Sequence, residues 1–247
     1  MASHPIYQFY AVLDDYKPKI WRRFQVSNDI TIARFCYIIQ VLFEMKASRP
    51  MMLEVPKGAN FTAYFKKTYP DISMAGNDTI WRYEIWDDDY QPFNDLQKHV
   101  QVADAAENKL KHAVSEPGEN MNFIYYFGDN WRISLTLEKV LAYRTLPAKE
   151  FPRALGGAGF GIVEGVGGVR GLMDLAKAFK TKKGADCKQF TEWPGVDGLD
   201  LSAFDLADMN FRLKKIPRIY KQCYEDRIMP TQQAINLIER KYQRKRR

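Results

Sequence analysis

The sequence predicts an α+β fold: a β-grasp-like mixed sheet with one packed helix, followed by a helical C-terminal region. Three observations predict it. Runs of alternating apolar residues recur along the first 141 positions and read as strands. Between the second and third of them, one apolar stripe returns at three- and four-residue spacing, the mark of an amphipathic helix. After Pro147 the chain turns glycine-rich and then helical in period to its end. Several strands with a helix on one face form an α+β layer. A chain of 247 residues has room for one to two domains and a sizeable core.

The elements follow in order. IYQFYAVL (6–13) and IWRRFQV (20–26) flank the turn residues Asp14-Asp15-Tyr16-Lys17-Pro18, which makes a β-hairpin. In its second arm Ile20, Arg22, Phe24 and Val26 share one face, and Trp21, Arg23 and Gln25 share the other. Ile32, Phe35, Cys36, Ile39, Leu42 and Phe43 then mark a helix, with Asn28 or Asp29 as its expected cap. MMLEV (51–55) reads as a short strand, and FTAYFKKTY (61–69) has mixed periodicity. TIWRYEIW (79–86) is a strand before the acidic turn Asp87-Asp88-Asp89, and residues 95–114 read as partly helical. MNFIYYF (121–127) and WRISLTLEKVL (131–141) flank Gly128-Asp129-Asn130, a strong hairpin signal. Residues 154–168 read as a glycine-rich loop, 171–180 as a short helix, and 184–202 as a loop anchored by Trp193-Pro194-Gly195. A helix starts at the Asp205 cap and breaks near Pro217, and a last one begins near Thr231. The expected organisation is 1–146 as sheet core, 147–203 completing the same domain, and 204–247 as C-terminal helices with a basic tail.

Composition excludes several classes. The 46% hydrophobic and 14% aromatic content is too high for a disordered chain. No apolar run is long enough to span a membrane, and the start carries no secretory signal, so a cytoplasmic protein is expected. Three dispersed cysteines with no paired Cys or Cys/His spacing argue against disulfides and structural zinc. No cofactor and no metal are expected. The net charge of +7 is concentrated at the C-terminus, where residues 209–247 hold 12 Lys and Arg against 3 Asp and Glu. Such asymmetry concerns partners, because clustered cations attract polyanions.

IWRRFQV, YYFGDNWRISLTLEKVL, the loop ending VGGVRG and FDLADMNFRL together resemble the plasmid pRiA4b ORF-3-like family, in the family's order, over about residues 6–215. The motif residues carrying the resemblance are Trp21, Arg22, Arg23, Tyr126, Phe127, Gly128, Asp129, Trp131, Glu164, Gly167 and Gly168. The resemblance implies an α+β fold, a mobile-element setting and no established activity. The chain departs from the family pattern in places. Ile133 stands where a His is usual, Ala154 stands near the place of a common Cys, and Gly161-Ile162-Val163 replaces paired prolines. Any His and Cys chemistry in the family is therefore not equipped here.

Three functions remain to be weighed. Asp129 and Glu164 are the best acid–base pair for an enzyme, with Arg22 and Arg23 as electrostatic partners; turn formation and cross-strand pairing are the plainer uses of these residues. The glycine-rich stretch matches no nucleotide fingerprint; it can cradle an anion or simply pack closely. Lys214, Lys215, Arg218 and Lys221 fall at helical spacings, and Arg240, Lys241, Arg244, Lys245, Arg246 and Arg247 crowd the last eight positions. With Tyr220 and Tyr242 interleaved, they suit DNA or RNA, offering about six to ten phosphate contacts. A solubilising tail is the simpler reading of the end. The aromatic-rich segment 61–86 suits a protein partner such as a basic nucleic-acid enzyme, with core burial as the alternative. A non-enzymatic, mobile-element-type protein that binds nucleic acid or a nucleoprotein through its basic C-terminal segment is the expectation. A protein-interaction module or inhibitor, and an enzyme built on Asp129 and Glu164, are the alternatives.

Overall fold

The structure is a computed structural model that describes residues 4–47, 49–72, 78–86, 99–125, 128–141, 147, 150–181 and 200–242. Strands β1 (Ile6–Leu13) and β2 (Trp21–Ser27) form the expected hairpin, with Phe9 opposite Phe24 and Tyr10 opposite Arg23. Alternation sends Phe9 and Phe24 inward, where both meet Phe35 of helix α1 (Ile32–Leu42) with ring centroids 5.0 and 6.0 Å away. Burying a ring of that size contributes about 1.5–3 kcal/mol each. The expected helix cap is displaced. Thr31 caps α1 by accepting from the Arg34 amide, leaving Asp29 to hold Lys109 and Lys111 at 2.9 and 2.7 Å.

The sheet continues through β3 (Met51–Val55), β4 (Ile80–Glu84), β5 (Val100–Asp104), β6 (Asn120–Tyr125), β7 (Trp131–Leu141) and β8 (Arg153–Ala158). Among the described residues it has eight strands in the order β5-β4-β3-β6-β7-β1-β2-β8. Every pairing is antiparallel except β4 with β5, which makes the sheet mixed. The α+β class, the packed helix and the helical C-terminal region are as expected.

Three segments differ from the sequence reading. Residues of mixed periodicity belong to helix α2 (Lys57–Thr68), whose buried residues are only Gly58 and Asn60. The partly helical stretch before residue 114 instead supplies β5 and the short helix α3 (Leu110–Ala113). The glycine-rich stretch is a strand over its first part, because β8 pairs with β2 at the sheet's edge. Several of its glycines are closely packed, Gly157, Gly159, Gly161 and Gly168 among them. A Cβ on Gly157 would lie 2.8 Å from the Trp21 carbonyl oxygen and 3.0 Å from the Phe204 ring. The Asp87–Asp89 turn and the Trp193-Pro194-Gly195 anchor lie outside the described residues.

After α4 (Gly168–Thr181) come α5 (Leu206–Leu213), α6 (Ile216–Tyr224) and α7 (Gln232–Ile238). Asp205 caps α5 through the Asp208 amide, as expected. Pro217 ends one helix and starts another: it occupies the first turn of α6, where its missing N–H costs nothing. Ten of the eleven residues of α1 are buried, since the sheet covers one side and α5 and α6 cover the other. Tyr37 of α1 stacks on Tyr224 at 5.5 Å and meets Tyr220 edge-on. No helix of the described residues is long and apolar enough to cross a membrane.

Candidate functional site

The C-terminal helices are docked by a buried ion network. Glu44 follows α1 in a left-handed conformation, φ 63°, and its side chain is 4% exposed. Its carboxylate accepts from Arg212 of α5 and from Arg240, just past α7, each at 2.5 Å. Asp208 accepts from the Tyr242 hydroxyl at 2.8 Å and lies 3.6 Å from Arg240. Burial works against the Arg212 charge, but Glu44 outweighs it and holds the guanidinium above its ordinary pKa. Burial, and then the Asp208 carboxylate, push the Tyr242 hydroxyl up. This network fixes α7 against α5 at its C-terminal end.

Between α5–α6 and α7 lies a cleft of about 1000 Å³, lined by Phe211, Lys214, Lys215, Arg218, Lys241 and Tyr242 among others. Its cations are exposed. Arg218 has no ion pair or hydrogen bond from its side chain among the described residues. Lys214 reaches Glu150 at 3.8 Å, with both side chains well exposed. Lys241 reaches Glu239 at 2.7 Å with its side chain 70% exposed, so the pair is weak. Lys215 sits 4.2 Å from the Phe211 ring centroid, and Phe211 packs against Tyr242 at 5.7 Å. Four cations and two aromatic rings therefore share one concave surface.

The structure sorts the predicted cationic residues. Lys214, Lys215, Arg218 and Lys241 come together in the cleft. Lys221 does not: it is turned to Asp226 at 2.8 Å, a bond that raises its pKa. Arg240 is not among the residues that line the cleft; its side chain, 34% exposed, is turned to Glu44. Tyr220 is also lost as a stacking residue, being 1% exposed with its hydroxyl donated to the Met45 carbonyl. Phe211 lines the cleft instead, its ring centroid 4.2 Å from the Lys215 ammonium. Arg244, Lys245, Arg246 and Arg247 lie outside the described residues.

The motif residues hold the architecture together. Arg22, fully buried, donates to the carbonyls of Leu42, Trp21, Ala158, Gly159 and Phe160 at 2.6–2.8 Å. Burial lowers its pKa to about 10, with Glu44 opposing and Arg240 adding to the shift. The expected pairing with a cross-strand carboxylate does not occur at Arg22, because carbonyls fill its donor set. Arg23 does pair, bonding Glu138 at 2.7 and 2.8 Å across β1. Trp21 stacks on Tyr10 at 5.7 Å, and Trp131 is fully buried. Glu164 accepts from the Lys46 amide at 2.7 Å and the Tyr125 hydroxyl at 2.6 Å. Gly128 and half-buried Asp129 form the β6–β7 turn. Gly167 and Gly168 have positive φ, and a Cβ on Gly168 would lie 2.7 Å from the Asp129 carbonyl oxygen. Tyr126 and Phe127 lie outside the described residues. Neither Asp129 nor Glu164 lines the basic cleft, or a second one of about 660 Å³ beside α4.

Among the described residues, no three His, Cys, Asp or Glu side chains gather as metal ligands. The segment 61–86 divides: Tyr83 is buried, whereas Phe61, Tyr64, Tyr69 and Trp86 are about half exposed.

Comparison with known proteins bears on the fold. The family model described as plasmid pRiA4b ORF-3-like protein matches residues 5–211. The crystal structure of a protein of unknown function, MM3350 from Methanosarcina mazei Go1, superposes with a TM-score of 0.64 at 20% identity. The match covers 84% of this chain and 98% of that one. At that identity the likeness is one of fold. No curated protein matches the chain. The family match ends at residue 211, ahead of every cation that lines the cleft.

Proposed function

The chain belongs to the plasmid pRiA4b ORF-3-like family, and from that premise we propose that it is a non-enzymatic protein that binds nucleic acid through the cleft between α5–α6 and α7. One observation carries the reading: Lys214, Lys215, Arg218 and Lys241 line the same concave surface as Phe211 and Tyr242. Clustered cations neutralise phosphates, and the rings offer faces to bases. The residues of the family motif speak against an enzyme built on Asp129 and Glu164. Glu164 is occupied by a backbone amide and a phenol, and Arg22 is occupied by carbonyls.

The test is binding of the full chain to labelled duplex DNA, single strands and structured RNA between about 50 and 200 mM salt. Four phosphate contacts give a slope of log K against log salt of about −3.6 on duplex DNA and about −2.8 on single strands. No binding at the lowest salt contradicts the reading.

A second reading is favoured by the exposed rings on and after α2. Phe61 and Tyr64 stand one turn apart on a helix with little buried surface, which suits docking of a protein partner. A Phe61→Ser/Tyr64→Ser variant losing a partner that the wild-type chain retains from host lysate would favour it over the cleft.

A further inference from the structure

The cavity of about 660 Å³ lies between the β1–β2 turn, the end of β8 and the last turns of α4. Backbone bonds set its walls. The Leu13 amide donates to the Ile20 carbonyl at 2.9 Å and closes the turn. The Phe160 amide donates to the Leu201 carbonyl at 2.9 Å and fastens Leu201 beside β8. Arg22 holds the Ala158 and Gly159 carbonyls, each at 2.8 Å. Gly159, at φ 72°, lets the backbone come against Ile20, whose Cγ1 would lie 2.6 Å from an added Cβ. These contacts pre-form the cavity, and small-molecule sites measure about 300–1,000 Å³.

Its lining divides by chemistry. Tyr16 and Ile20, 7% and 2% exposed, join half-buried Phe179 and Leu201 as an apolar wall. Lys17, Lys19 and Lys180 line it as well, all three exposed. None of their ammonium groups has an ion pair or hydrogen bond among the described residues. Asp200, the acid among the described lining residues, is satisfied within its own turn: it accepts from the Ser202 amide at 2.9 Å and the Ser202 hydroxyl at 2.6 Å. Asp14, Asp15 and Asp174 do not line the cavity, and Asp14 accepts from the Ser134 hydroxyl at 3.0 Å. The Tyr16 hydroxyl is the decisive group. The residue is more than nine-tenths buried, yet its hydroxyl has no hydrogen bond among the described residues. A buried phenol ordinarily finds a partner. Burial pushes the Tyr16 hydroxyl up, so it keeps its proton and can donate. The polar side chains left unspent at this cavity are therefore donors.

We propose that this cavity binds a small organic anion with an apolar body, a carboxylate on an aliphatic chain or an aromatic ring. The apolar wall takes the body, the ammonium groups hold the carboxylate, and the Tyr16 hydroxyl gains the acceptor it lacks. The lining selects against other ligands. A cation meets three ammonium groups, and an uncharged chain gains nothing from them. A nucleotide base finds no Asn or Gln among the described lining residues to read its edge. The cavity shares no lining residue with the cleft between α5–α6 and α7, so the proposal stands apart from the nucleic-acid reading.

The experiment is calorimetric titration of the full chain with decanoate, and with decan-1-ol and decylammonium as its uncharged and cationic counterparts. Decanoate is expected to bind with a Kd of about 10–100 µM, and both counterparts at least about tenfold more weakly. Lys17→Gln/Lys19→Gln/Lys180→Gln changes only exposed side chains, and Tyr16→Phe keeps the ring. Each is expected to weaken decanoate binding about tenfold. Ala176→Trp, which places an indole where a methyl group lines the cavity, is expected to abolish binding, with folding checked by thermal denaturation. Absence of decanoate binding at millimolar concentration overturns the proposal, as does equal binding of decan-1-ol. Decanoate binding that Tyr16→Phe and folded Ala176→Trp both leave unchanged also overturns it and assigns the anion to another surface.

Discussion

Arg22 stands on the core face of β2, and its neighbours in the same alternation, Ile20, Phe24 and Val26, are buried hydrophobics. Its guanidinium lies 4.3 Å from the Phe204 ring centroid and 5.3 Å from that of Phe43, and its donors close on carbonyls of β2, α1 and the glycine-rich segment. Removing it leaves several buried acceptors without donors, each costing about 1–3 kcal/mol. Arg22→Met is expected to lose at least about 3 kcal/mol in urea denaturation, and Arg22→Lys to recover little, since an ammonium has three donors for five bonds. Asp29 gives a pH signature. Hydrogen bonds from Lys111 and then Lys109 hold its carboxyl at about 2, below the ordinary 3.8. A depressed folded-state pKa contributes stability that is complete above the unfolded value and disappears as pH falls through the folded one. The wild-type chain should lose this contribution between about pH 4 and pH 2, and Asp29→Asn should remove that part of the acid dependence. Thermal denaturation across that range, run on both proteins, reads the difference.

At the scale of elements, α7 is the helix with the weakest hold among the described residues. None of its residues is buried, and its C-terminal end depends on Arg240 and Tyr242 reaching Glu44 and Asp208. Arg240→Ala is therefore expected to speed amide exchange across 232–238 while leaving α1 protected. Glu44→Gln acts on two arginines at once, one of them buried, and should cost the whole fold about 3–5 kcal/mol. The elements also show what a sequence can carry. Both hairpins, α1 and the break at Pro217 were legible because alternation, helical period and proline geometry act locally. The same alternation placed Arg22 beside Phe24 on the inward face, although not its partners, which are backbone groups from distant segments. Strand β8 was hidden because Gly156 and Gly157 have no side chains to alternate; at Gly157 what selects glycine is the approach of Trp21 and Phe204 from elsewhere. Helix α2 was obscure for a different reason. Its rings are mostly outside the core, so burial imposes little period on them. The loss of Arg240 and Tyr220 from the cation-and-ring cluster was equally hidden, since their partners Glu44 and Met45 lie far back in the chain.

At the scale of the molecule, two regions divide the work. Residues matched by the family model build the sheet and the helices packed on it, and the motif side chains within them are spent on carbonyls, amides and tight turns. The excess positive charge lies beyond, where α6 and α7 frame a cleft against α5. The central claim is that this cleft, and not charge spread over the surface, engages nucleic acid. The most direct measurement compares the salt dependence of DNA binding by the wild-type chain with that of Lys214→Gln/Lys215→Gln/Arg218→Gln/Lys241→Gln. All four side chains are exposed, so the variant should unfold at the same temperature within a few degrees. The account predicts that the slope of log K against log salt falls by about 3 to 4 on duplex DNA and that binding at about 150 mM salt is lost. An unchanged slope in the folded variant would contradict it.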